Sequence, residues 1–123
     1  MNKKKVVTES TRHLRVAESL KRIISQALNQ EKILVHTIGD VHITVSEVRL
    51  SADLRSAIIY IFPENKQDYL EIISLINEYS REFNKYLSKE TNLKFLPKLR
   101  FVYDDVFDKV KNIDHILGSI KDD

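Results

Sequence analysis

The chain has 123 residues, no cysteine and a formal net charge of only +2, which bounds it to one domain and excludes disulfide frameworks and cysteine-ligated zinc. The small net charge hides a segregation: residues 1–35 and 81–102 carry +5 and +4, residues 36–80 and 103–123 carry −4 and −3, so two basic blocks could meet in space as one anion-binding face. Only Val6-Val7 follows the basic opening Met1-Asn2-Lys3-Lys4-Lys5 before polar residues resume; no secretory leader, no membrane span and a cytoplasmic location are expected.

A single domain over residues 1–123 is expected, with 1–7 a flexible basic tail and 121–123 a flexible end. From Ser10 to Asn29, apolar residues fall at Leu14, Ala17, Leu20, Ile24 and Leu28, with Val16, Ile23 and Ala27 widening the stripe. That spacing predicts a helix. Thr8, Ser10 or Thr11 can cap it, and Arg12, Arg15, Ser19 and Arg22 share the face almost opposite the stripe. Val41 to Leu50 alternates like a strand but slips at Ser46-Glu47, which predicts a β-bulge. Arg55 to Phe62 is apolar on both faces and reads as a central strand ended by Pro63. Between the strands, Ser51-Ala52-Asp53 offers no Asn-Gly or Gly-x turn, and Arg49, Asp53 and Arg55 surround the tip. Asp53 is expected to accept hydrogen bonds from the turn's own amides.

Gln67 to Lys89 follows a helical pattern that weakens at Tyr79-Ser80-Arg81, where a kink or helix–turn–helix is predicted. Arg81, Lys85 and Lys89 stand at i, i+4 and i+8 on its second segment. Lys94 to Tyr103 reads as a one-sided edge strand, with Phe95, Leu99, Phe101 and Tyr103 facing in and Lys94, Lys98 and Arg100 facing out. Pro97 lacks a ladder donor and so argues for the edge. Val106, Val110, Ile113, Leu117 and Ile120 describe a last amphipathic helix, with Asp104 or Asp105 as its N-cap. The order is helix, strand, strand, helix–kink–helix, strand, helix. An antiparallel hairpin followed by a crossover to a parallel third strand predicts sheet order 1-2-3, with helices on one face. This α+β arrangement is that of a type II K-homology (KH) RNA-binding domain.

Four segments in order carry a closer likeness. Arg12-x-x-Arg15-Val16-Ala17-Glu18, the block from Ile43 to Leu54 with Ala57 and Tyr60, the strand from Leu93 to Asp104, and Ile113-Asp114-His115-Ile116-Leu117 together resemble the ribosome-binding factor A family, over nearly the whole chain. The resemblance implies a bacterial factor for maturation of the small (30S) ribosomal subunit. It implies binding near the subunit's neck and decoding region, and support for maturation of the 16S ribosomal RNA 5′ end, especially in the cold. KH domains usually clamp the RNA backbone with a Gly-x-x-Gly loop. Here the two glycines are Gly39 and Gly118, neither near the helix junction. The family uses instead an Ala-x-Gly kink, and at the matching positions this chain has Tyr79-Ser80-Arg81, which adds a positive charge.

No catalytic chemistry is expected. Asp104, Asp105 and Asp108 could bind a hard cation, but acids at a helix start are ordinary capping and first-turn residues. His13, His36, His42 and His115 lack metal-ligand spacing, and no Gly-rich phosphate loop is present. Cofactors and metals are therefore not expected. The predicted role is a non-catalytic RNA-binding factor, monomeric when free, whose partners are the small ribosomal subunit and its ribosomal RNA. Arg12, Arg15, Arg22, Arg81, Lys85, Lys89, Lys94, Lys98 and Arg100 are the candidate phosphate contacts. With few exposed aromatics beside them, recognition of folded RNA by shape is expected rather than stacking on single strands. The alternative is a protein–protein adaptor with an incidental basic surface, whose apolar patch would lie around Tyr79, Tyr86 and Phe107.

Overall fold

A computed structural model describes residues 11–64 and 68–106. Helix α1 spans Thr11–Asn29 and buries Leu20, Ile23, Ile24, Ala27 and Leu28. Leu14, expected on this stripe, is 59% exposed. The first turn of α1 reaches beyond the core to the hairpin tip, where His13 Nε2 lies 3.0 Å from the Ala52 carbonyl oxygen. The capping residues expected at Thr8 and Ser10 lie outside the described residues. After α1 the chain turns through Lys32 (φ 50°) into a short helix that the periodicity does not predict, α2, Val35–Ile38. Gly39 stops it at φ 81°, a left-handed conformation that suits glycine.

Strands β1, Ile43–Leu50, and β2, Ser56–Pro63, pair antiparallel. The register jumps between Val45 and Glu47, so Ser46 is the extra residue of a bulge, as the broken alternation predicts. The jump returns Val48 and Leu50 to the inner face. Helices α3, Tyr69–Glu78, and α4, Ser80–Glu90, then lead to β3, Lys98–Tyr103, which pairs parallel with β2. The sheet order is β1-β2-β3, with the doubly apolar strand central. The helix break falls on Tyr79 alone, at φ −101° and ψ 27°. Its N–H is shared between the Leu75 and Ile76 carbonyls, both at 3.2 Å, so no glycine is needed there.

Strand β3 is shorter than expected. Pro97 has no N–H and restricts Leu96 before it, so pairing starts one residue later. Its first ladder bond runs from the Lys98 N–H to the Arg55 carbonyl at 2.8 Å. Pro97 is buried just before the strand, and Phe95, expected to face in, is 76% exposed. Across the strands, Val48, Ile59 and Phe101 form one inner row and Leu50, Ala57 and Leu99 another. Phe83 of α4 tilts over Phe101 with ring centroids 4.9 Å apart, and Tyr69 of α3 meets Tyr103 at 4.2 Å. The last helix, predicted from Val106 onward, lies outside the described residues except for a helical start at Asp105-Val106.

Two asparagines join helices to strand backbone. Asn29, at the end of α1, donates from Nδ2 to the Ile43 carbonyl (2.7 Å) and accepts from the Ile43 N–H (2.8 Å). Asn77 of α3 does the same to Phe101, at 2.9 and 2.8 Å. Leaving the backbone groups of a buried strand residue without these partners costs about 1–3 kcal/mol. Asn29→Ala and Asn77→Ala are each expected to lower unfolding free energy by about that much in urea titrations. Asn77→Asp should also destabilise, because a carboxylate cannot donate to the Phe101 carbonyl.

Candidate nucleic-acid interface

The hairpin tip is built by its own polar groups. The Ser51 N–H donates to the Ser56 carbonyl (2.9 Å) and the Leu54 N–H to the Ser51 carbonyl (3.0 Å). Asp53 Oδ1 accepts from the Ser51 hydroxyl (2.7 Å) and the Arg55 N–H (3.0 Å), the role expected of it. Ser51 Oγ in turn accepts from the Ser56 N–H at 3.0 Å. The Ser51 hydroxyl, then the Arg55 amide and guanidinium, hold the Asp53 carboxyl below its usual pKa. Leu54 takes the left-handed conformation, φ 62°, that a glycine would have adopted without strain. Its side chain is half-buried and lines a hollow with Arg12 and Lys94.

That hollow brings the two basic blocks of the sequence together. Arg12 of α1, Asp53 and Arg55 of the hairpin, and Lys94, Phe95 and Pro97 before β3 share its walls. A neighbouring hollow joins Arg55, Phe95 and Pro97 to Asn84 of α4 and to Lys98. Among the described residues, none of Arg12, Lys94 and Lys98 is tied to a carboxylate in an ion pair. The Lys94 ammonium sits 5.6 Å from the centroid of the Phe95 ring, a cation–π distance. Arg55 was not among the candidate phosphate contacts. Its place at the hairpin tip was the available signal, and the parallel pairing of β3 beside β2 is what makes it a neighbour of Lys98.

The other candidates are spread around this centre. Arg15 lines a groove between α1 and the end of α4, with Glu90 and Thr91 opposite. Tyr86 of α4 has its hydroxyl pKa pushed up by burial, with Glu90 and Glu31 nearby. Arg22, Arg81, Lys85 and Lys89 are exposed, and Lys85 lies 3.9 Å from Glu82 in a surface pair of little energetic weight. Arg100 is separate. It pairs in register with Ile58 and Arg49, on the sheet face opposite the inner rows. There Arg49 meets Glu47 at 2.8 Å and stands 5.4 Å above the Tyr60 ring.

The acids and the apolar alternative also have definite places. The Asp104 carboxylate accepts from the hydroxyl of Ser46, the bulged residue; Asp108 lies outside the described residues. Among the described residues no three His, Asp or Glu side chains gather as metal ligands. Tyr79 is 42% exposed, but Tyr86 packs against the core and Phe107 is outside the described residues.

The family model described as ribosome-binding factor A matches residues 12–117. This chain belongs to the ribosome-binding factor A family. A ribosome-binding factor A from Methylorubrum extorquens (strain PA1) is 34% identical over 110 residues, covering 89% of this chain and 76% of that protein. The one from Dinoroseobacter shibae is 36% identical over 110 residues, with 89% and 82% covered. The fold matches the crystal structure of ribosome-binding factor A from Thermus thermophilus with a TM-score of 0.58 at 19% identity. That match covers 73% of this chain and 93% of the other. The KH-like α+β architecture is thus the family's own.

In this family member the hairpin tip should respond to acid. A carboxyl whose pKa is lowered on folding stabilises the fold above its unfolded value, near 3.8, and loses that contribution as pH falls through the folded value. Asp53→Asn is expected to melt below wild type at neutral pH, with the gap closing once pH drops below about 3.8. Paired thermal melts across that range check it.

Proposed function

We propose that this chain is a non-catalytic factor that binds the small ribosomal subunit through its ribosomal RNA. It assists late maturation there, including processing of the 16S RNA 5′ end, and acts in the cytoplasm as a monomer when free. Its importance should be greatest in the cold. The family match over residues 12–117 carries the reading, and the relatives are named for ribosome binding.

The charge arrangement supports an RNA partner. A hollow walled by Arg12, Arg55 and Lys94, with Lys98 beside it, is suited to phosphates. In this reading Arg12, Lys94 and Lys98 contact RNA centrally, with Arg15, Arg22, Arg81, Lys85 and Lys89 along the flanking helices. Arg100 would serve a separate contact from the opposite sheet face. These contacts position the protein and do not read bases.

Co-sedimentation with purified small subunits, set against mature ribosomes, is the direct test, and preferential pelleting with small subunits is expected. Across a salt series, log K should fall linearly with log salt, by about 0.7–0.9 per phosphate contact. Replacing Arg12, Lys94 and Lys98 together by alanine should reduce that slope by about 2–3 without unfolding the protein, since all three are exposed. A well-folded triple variant with an unchanged slope would count against the basic hollow. Failure of the wild type to pellet with small subunits would overturn the function itself.

A further inference from the structure

Phe95 is 76% exposed, more than any other large apolar side chain among the described residues. Pro97 and the late start of β3 hold it off the core, and the hollows on its two sides bring four cations around it: Arg12, Arg55, Lys94 and Lys98. A site for an apolar peptide would not be rimmed this way; a polyanion carrying flat rings fits both features. One negative group, the Asp53 carboxylate, shares the hollow, but it is held by Ser51 and the Arg55 amide and faces the Arg55 charge.

A second, independent observation comes from the adjoining wall. Asn84 of α4 lines the hollow with Phe95, and its Oδ1 is buried without a hydrogen-bond partner. Buried polar atoms in folded proteins are nearly always satisfied, and Oδ1 here is closed off from the hollow, so the Asn84 side chain must turn outward for a donor supplied from outside to meet it.

We propose that Phe95 and Asn84 form a seat for one unpaired nucleobase of a single-stranded RNA segment. The base stacks on the Phe95 ring, its exocyclic amino group donates to Asn84 Oδ1 once that side chain turns toward the hollow, and Arg12, Arg55, Lys94 and Lys98 hold the flanking phosphates. This deepens the RNA-binding reading above and rests on it. It also replaces the expectation of recognition by shape alone, which followed from placing Phe95 inside. A stacked base makes at least one part of the target a strand with its bases splayed out.

The chain contains no tryptophan, so Phe95→Trp places a single fluorophore at the seat. Titration with short oligocytidylate at low salt should quench its emission. Phe95→Ala should weaken the same oligonucleotide about 5- to 100-fold while leaving the salt slope and thermal melt at wild-type values, because no charge and no core contact is lost. Oligouridylate, which carries a carbonyl where cytosine carries an amino group, should bind more weakly than oligocytidylate, and Asn84→Ala should erase that difference. Unquenched Phe95→Trp at saturation, undiminished binding by Phe95→Ala, or no binding of wild type to either oligonucleotide would each overturn the seat. Equal wild-type affinity for the two would overturn the role of Asn84. If small-subunit binding persists beside such a failure, the proposed function stands and the seat alone falls. Salt-insensitive subunit binding that is lost in Phe95→Ala would assign the ring to a protein partner and also overturn the proposal.

Discussion

A three-stranded sheet has two outer strands, and each leaves alternate backbone N–H and C=O groups facing away from the centre. Asn29 and Asn77 meet two of these pairs with a side-chain amide that offers one donor and one acceptor in the same geometry as a neighbouring strand. The positions matter as much as the bonds. Asn29 closes α1 against the start of β1, while Asn77 lies two residues before the Tyr79 break. The direction in which α4 departs, and with it the placing of Phe83 over Phe101, therefore depends on an anchor to the backbone of β3. Apolar packing alone could slide; a two-point hydrogen bond cannot.

From that anchor the cationic surface follows. The parallel pairing of β3 with β2 starts at Lys98 opposite Ser56, which puts the segment before β3 beside the hairpin tip. His13 at the Ala52 carbonyl brings the first turn of α1 to the same corner. Three stretches far apart in sequence thus deliver Arg12, Arg55, Lys94 and Lys98 to adjoining hollows, with Phe95 between them. The hairpin meets this demand without glycine. Ser51 and Asp53 satisfy its amides, and Leu54 accepts a left-handed backbone while its side chain lines the hollow.

Much of the architecture was legible from periodicity. The slip of alternation at Ser46-Glu47 marked the bulge, the two-sided apolar run Ala57–Phe62 marked the central strand, and the thinning stripe near Tyr79 marked the helix break. What failed did so for physical reasons. Phe95 shares the parity of Leu99 and Phe101, and alternation alone placed it inside. Parity holds only while a strand is paired, and Pro97 ends the pairing on its N-terminal side. Leu14 fits the stripe of α1, but a stripe does not say where the surface beneath it ends. The short helix α2 is only four residues long, too brief for a periodic signal. For the candidate site, the exposed bases could be named from sequence. Which of them converge could not, because convergence is set by strand register and by the crossing of α1 over the sheet. Lys98 and Arg100 share the outward parity of β3, yet Lys98 joins the hollow at the strand's start while Arg100 stands further along, level with Ile58.

The asparagine amides have one more effect, on what the sheet will not do. A short sheet with open edges is a template for a fourth strand from any extended chain nearby, including a second copy of itself. An incoming strand at β3 would have to displace Asn77 from the middle of a six-residue edge, and one at β1 would have to displace Asn29 from its first residue. Each would forfeit two satisfied bonds before gaining any. Both open edges of the sheet are thereby protected from being extended into an aggregate.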